Sequence, residues 1–187
     1  EPPPPAAPPI QAPLAMHKFR FDPEADEVVG EIQITHVQGE DTLPDIARRF
    51  NVGYEEILRA NPGVDPWLPG VGREIVIPTQ FVLPKGPREG LVVNLGQLRV
   101  FYFPKKPKLK KGQVDDGLRT VITHPIGIGK VGWKTPEGVT KIVRRKKHPE
   151  WRPTPSIIKE HLKERGEKLE AVVKAGPDNP LGRYAFY

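Results

Sequence analysis

Apolar positions recur with a helical period in the stretch that follows Asp41. Leu43, Ile46, Ala47 and Phe50 fall at i, i+3, i+4 and i+7 and form one stripe, which predicts an inward-facing helix from Leu43. Thr42 stands where a cap is needed, Asp45 completes a capping-box pair, and Pro44 is tolerated in the first turn. Asn51 and Gly53 stop the helix. A second one is predicted from Tyr54 to Ala60, carrying Ile57 and Leu58 and ended by Pro62. Strands are predicted on either side, at Ile34–Val37 and at Glu74–Ile77, the latter closed by Pro78. Further along the pattern changes to that of strands. Leu91–Asn94 and Leu98–Phe103 flank Leu95-Gly96-Gln97 as a hairpin, and Leu118–Ile126 and Val139–Lys147 follow. The last two alternate imperfectly, the pattern of sheets with two covered faces. Ser156 is predicted to cap a helix over Ile157–Arg165 that Gly166 stops. Arg183–Tyr187 begins another strand, which would present an unpaired edge. The fold class expected is α+β.

Composition divides this pattern into segments. The 24 prolines include a cluster in EPPPPAAPPIQAP, so residues 1–15 read as a polyproline-like leader. That leader has neither the basic end nor the apolar core of a signal peptide, and no run is long enough for a membrane-spanning helix. Residues 16–33 read as an extended lead-in with a short strand near Val28 and Val29. The ββ-flanked helix pair at 34–78 forms one unit, 79–90 a Pro/Gly linker, and 91–187 a mostly-β domain.

Charge sharpens the division. Residues 1–30 carry 2 basic and 5 acidic side chains, residues 31–80 carry 4 and 8, and residues 81–187 carry 23 and 10. The basic character belongs to the last part and peaks at Lys105–Lys111 and Arg144–Lys147. Neither cluster interleaves aromatic residues at stacking spacing, and no nucleic-acid-binding motif is present, so nucleic acid is not expected as a partner.

Candidate chemistry is sparse. There is no cysteine, which removes thiolate metal sites, disulfides and thiol catalysis from these residues. The single serine, Ser156, lies outside any nucleophile elbow and reads as a cap. The five histidines lack metal-ligand spacing, and no cofactor is implied. Asp115-Asp116 sits in a lysine-rich loop and reads as solvated rather than as a glycosidase pair. Gly127–Gly138, GIGKVGWKTPEG, contains G-x-G-x-x-G, but Pro136 and Gly138 leave no helix after it on which a dinucleotide would rest. It reads as a loop at a strand end, with Trp133 offering a flat apolar face.

Two resemblances give these segments a meaning. THVQGEDTLPDIARRFNV, EEILRANPGV and GREIVIP resemble a LysM module across residues 34–78. The resemblance implies an N-acetylglucosamine-containing glycan held between two loops, lined by Gly39, Asp41, Thr42 and Leu43 on one side and Asn61, Pro62 and Gly63 on the other, with Ile77 near the floor. Thr42 and Leu43 are read equally as a plain cap and a plain packing residue. Asp65-Pro66-Trp67 lengthens the second loop and would either extend the glycan surface or dock on the neighbouring domain.

VVNLGQLRVFYF, PIGIGKVGWKTPEG and GPDNPLG resemble the YkuD-type L,D-transpeptidase catalytic domain of bacterial cell-wall enzymes. That resemblance implies a small βααβ LysM domain followed by an incomplete transpeptidase-like sandwich. It implies an exported envelope or periplasmic protein whose substrate is peptidoglycan. In the family a histidine-activated cysteine attacks a tetrapeptide stem, releases D-alanine and passes the acyl group to an amine on another stem or on an envelope lipoprotein. The family's His and Ser-His-Gly-Cys-x-x-Arg-type motif falls downstream of Tyr187, so the expectation is a truncated, catalytically silent piece with no catalytic residue of its own. Trp133, Thr135 and Pro136 would shape the substrate groove, with Trp133 read equally as filling an inter-domain seam. A non-catalytic peptidoglycan-binding module with a basic spacer is the competing expectation.

Overall fold

The computed structural model describes residues 15–129, 135–166, 168–177 and 179–187. The proline-rich leader up to residue 14, Trp133, and the last glycine of the G-x-G-x-x-G string lie outside the described residues. The chain forms two compact units that divide between Thr135 and Pro136.

In chain order the first unit contains β1 (His17–Phe21), β2 (Val28–Gly30), β3 (Gln33–His36), α1 (Leu43–Arg49), α2 (Tyr54–Ala60), β4 (Glu74–Ile77), β5 (Gln80–Val82), β6 (Gly90–Asn94), β7 (Arg99–Phe103) and β8 (Arg119–Pro125). The class is α+β, as expected, but the order is more interleaved than one domain followed by another. β1 comes from the lead-in and pairs antiparallel with β8, His17 opposite Thr123 and Phe21 opposite Arg119, completing a sheet of order β1-β8-β7-β6. β2 pairs antiparallel with β5, and β3 with β4. The helix pair is therefore carried on a two-stranded ribbon whose legs enter at Gly30 and leave at Thr79.

Period-two alternation explains the core of the sheet. His17, Phe19 and Phe21 of β1, Val121 and Thr123 of β8, and Arg99, Phe101 and Phe103 of β7 occupy one face by strand register. Phe21, Phe101, Phe103 and Val121 bury there against Val29, Phe81 and Leu83 of the β2–β5 pair and its continuation. The opposite face is not covered as expected, because Leu91, Val93 and Tyr102 are all exposed. Imperfect alternation here reflects a sheet with apolar residues on both faces and one face buried. A second core gathers Leu43, Ile46, Ala47, Ile57, Ile75 and Ile77 between the helix pair and β3–β4.

The second unit is held mainly by hydrogen bonds. β9 (Arg145–Lys147) is shorter than the expected strand at Val139–Lys147, and it pairs antiparallel with β10 (Tyr184–Phe186). The last strand is paired on one side by β9, and among the described residues its other edge has no strand partner. The amide of Asn179 donates to the carbonyls of Pro149, Val173 and Lys174 and ties three segments together. α3 (Pro155–Arg165) begins two residues early: Thr154, not Ser156, is the cap and accepts from the Ile157 amide. Pro155 explains the shift, since proline is favoured at the first helical position and leaves the residue before it extended. Ser156 sits in the first turn with its hydroxyl 2.8 Å from that of Thr154.

Candidate functional site

The loop from β3 into α1 is rigid before any ligand is considered. Thr42 is extended, its hydroxyl accepts from the Asp45 amide at 3.2 Å, and the Asp45 carboxylate accepts in return from the Thr42 amide and hydroxyl. That hydroxyl bond is the foremost reason the Asp45 carboxyl lies below its ordinary value. Asp41 accepts from the Arg49 guanidinium at 2.5 Å and from the Gln38 amide at 3.2 Å. The Leu43 amide donates to the carbonyl of Pro66 at 2.8 Å, so the loop into α1 and the loop before β4 are directly joined.

Several of the expected glycan-lining residues have structural duties. Asn61 is buried; its amide nitrogen donates to Ile57 and Val76 and its oxygen accepts from the Val76 amide, each at 2.8 Å, which stitches α2 to β4. Leu43 and Ile77 are fully buried in the core beneath the two loops. Gly39, Pro62 and Gly63 are exposed, and both glycines have positive φ with open space around them. Trp67 does not dock within this unit: it is 65% exposed, next to exposed Leu68 and Val71. The Asp65 carboxylate accepts from the Trp67 and Leu68 amides at 2.8 and 3.1 Å and fixes the turn that presents them.

Of the loop after β8, Gly127 and Gly129 are exposed, and the Thr135 hydroxyl accepts from the Gly129 amide at 3.3 Å. Thr135 is half-buried, and Pro136 is exposed at the start of the second unit.

A polar cluster that sequence reasoning did not single out joins the helix pair to the sheet. Arg99 is 1% exposed. Its guanidinium donates to both carboxylate oxygens of Glu56 at 2.9 and 2.7 Å and to the Thr123 hydroxyl at 3.1 Å, and lies 3.9 Å from the ring centre of Phe81. Glu56 also accepts from the Gly53 amide at 2.6 Å and so caps α2. Nearby, His17 Nε2 donates to the Phe50 carbonyl at 2.7 Å, and the Asn51 amide donates to His124 Nδ1 at 2.8 Å. Burial, with the Arg99 charge adding to it, lowers the pKa of both histidines. The available signal was a lone arginine at an inward position of LRVFYF, where register places it beside Phe101 and Phe103.

Comparison with known proteins gives both parts of this arrangement a family. Residues 35–78 match the LysM domain and residues 88–186 match the L,D-transpeptidase catalytic domain. The chain belongs to the L,D-transpeptidase family and carries a LysM domain. It is 38% identical over 184 residues to probable L,D-transpeptidase YcfS of Escherichia coli strain K12, covering 97% of this chain and 54% of that protein. It is 41% identical over 172 residues to probable L,D-transpeptidase ErfK/SrfK of Salmonella typhimurium, covering 90% and 52%. To probable L,D-transpeptidase YbiS of Escherichia coli strain K12 it is 40% identical over 167 residues, covering 88% and 51%. The chain spans about half the length of these curated relatives.

Proposed function

We propose that these residues form the peptidoglycan-holding part of a cell-envelope L,D-transpeptidase acting in the periplasm. The observation that carries this reading is the pair of loops bonded through Leu43 and Pro66, which form a preorganised polar surface on a LysM unit. Backbone groups around Gly39 to Thr42 on one side, and Pro62 and Gly63 on the other, bind the acetamido and hydroxyl groups of an N-acetylglucosamine-containing glycan. Leu43, Asn61 and Ile77 support that surface from below rather than touching the sugar. Exposed Trp67 extends the surface, offering an aromatic face on which the apolar side of a pyranose ring rests. The cysteine-dependent chemistry of the family, cross-linking of peptide stems or attachment of a lipoprotein to peptidoglycan, is the activity this binding serves. Thr135, whose hydroxyl accepts from the Gly129 amide, flanks the stem-peptide groove. Holding glycan near the reacting groups raises their effective concentration.

Retention on insoluble peptidoglycan tests the binding. Asparagine tolerates positive φ, so Gly39→Asn and Gly63→Asn place side chains over the surface while preserving the turns. Each is expected to lower retention roughly tenfold, equivalent to about 1.4 kcal/mol. Trp67→Ala is expected to lower it less. Undiminished retention of both glycine variants, with unchanged circular dichroism, would overturn the assignment.

A further inference from the structure

The connection from β7 to β8 is a second interaction surface, distinct from the glycan loops. Residues 104–120, PKKPKLKKGQVDDGLRT, hold five lysines and one arginine against two aspartates. The aspartates are already engaged: Asp116 pairs with Arg20 and Asp115 with Lys106. Among the described residues Lys105, Lys108, Lys110, Lys111 and Arg119 form no ion pair, so the excess charge faces solvent uncompensated.

The loop is built rather than slack. The amide of Gln113 donates to the Lys110 carbonyl at 3.0 Å, and the Lys110 amide donates to the Gln113 side chain at 2.9 Å, closing a turn at the tip. Asp115 and Asp116 accept from the Gly117 and Leu118 amides at 2.9 and 3.0 Å and shape the return to β8. Loop and sheet edge enclose an open cleft of about 590 Å³ that Arg20, Lys106, Lys110 and Arg119 help to line. Beside the charges two aliphatic side chains stand in water, Leu109 at 49% and Val114 at 90% exposure.

Basic side chains alone would suit any polyanion. Exposed aliphatics next to them suit an interface, where lysines meet phosphates and apolar groups enter the boundary between headgroups and acyl chains. The loop contains no aromatic residue on which a base would stack. We propose that the β7–β8 loop docks the protein on an anionic phospholipid surface, with Lys105, Lys108, Lys110 and Lys111 contacting headgroup phosphates and Leu109 and Val114 inserting shallowly. This surface is separate from the glycan loops and stands whether or not they bind sugar.

Co-sedimentation of the 187-residue chain tests it, using phosphatidylcholine vesicles with and without phosphatidylglycerol. The chain is expected to bind the anionic vesicles and not the neutral ones, and to be released by high salt. Replacing Lys105, Lys108, Lys110 and Lys111 together by Gln is expected to weaken binding on the order of 100-fold. Because that change also lowers net charge, Arg145→Gln/Lys146→Gln/Lys147→Gln serves as the control and is expected to change binding less than about twofold if the loop is the contact. Leu109→Ser/Val114→Ser is expected to weaken vesicle binding while leaving affinity for soluble polyphosphate unchanged. Equal loss in the Arg145 control would overturn the proposal, as would binding to neutral vesicles. An aliphatic variant that binds anionic vesicles normally would assign the loop to a soluble phosphate polymer instead.

Discussion

Gly30 shows how a single residue sets the path of the ribbon. It has φ of +77°, and a Cβ built there would overlap the carbonyl oxygen of Thr79 on the opposite leg. Thr79 is itself buried, its hydroxyl donating to the Glu31 carbonyl at 2.6 Å. Gly30→Ala should therefore cost more than about 2 kcal/mol, from left-handed strain plus forced separation of the legs, measured by urea denaturation. The histidines supply a pH signature. Because burial lowers their pKa in the folded chain, the unfolded chain binds more protons below the ordinary value of 6.5. Their contribution is thus intact above that pH and lost as pH falls through it toward the folded values. Asp45, shifted downward, keeps its contribution above the ordinary carboxylate value and loses it as pH falls through that value toward the folded one, so the two effects separate. Melting temperature should decline on acidification from neutral, and His17→Gln should flatten that decline; an unchanged slope would contradict it. Neither Gly30 nor His17 stood out in the sequence, since each matters only through a neighbour far along the chain.

At the level of elements, what was legible was what is local. The stripe of α1 and its Thr42–Asp45 box lie within one or two helical turns, and both are present as expected. β1 escaped notice because its partner, β8, lies at the far end of the same unit, and strand pairing at such separation leaves no trace in a short window. The Arg99–Glu56 pair is likewise non-local: α2 draws its N-terminal cap from a glutamate that a strand arginine also holds. Breaking one side leaves the half-buried Glu56 carboxylate uncompensated and removes the bonds of a buried arginine, so Arg99→Met should destabilise the chain by about 2–3 kcal/mol. Adding Glu56→Gln should return part of this, because no unpaired charge then remains at the site. A double-mutant cycle in urea measures the coupling, and additive losses would show that the pair does not join α2 to β7.

For the whole molecule, the loops of the candidate site were readable because LysM wording is confined to one stretch, whereas which of their side chains are free for a ligand was not. Asn61 looked as available as Pro62 until its three hydrogen bonds to backbone were visible. The same division applies to chemistry. A carbapenem acylates a transpeptidase of this kind through a thiolate, because sulfur is both polarizable and substantially ionised when a neighbour lowers its pKa. These 187 residues contain no cysteine. Their one serine lies in the first turn of α3 with its hydroxyl shared with Thr154, and no histidine bond activates it among the described residues. Intact-mass spectrometry after incubation of this chain with a carbapenem should accordingly show no added mass. An increase equal to one drug molecule would reveal a nucleophile other than sulfur, with Ser156 the first position to map by peptide digestion.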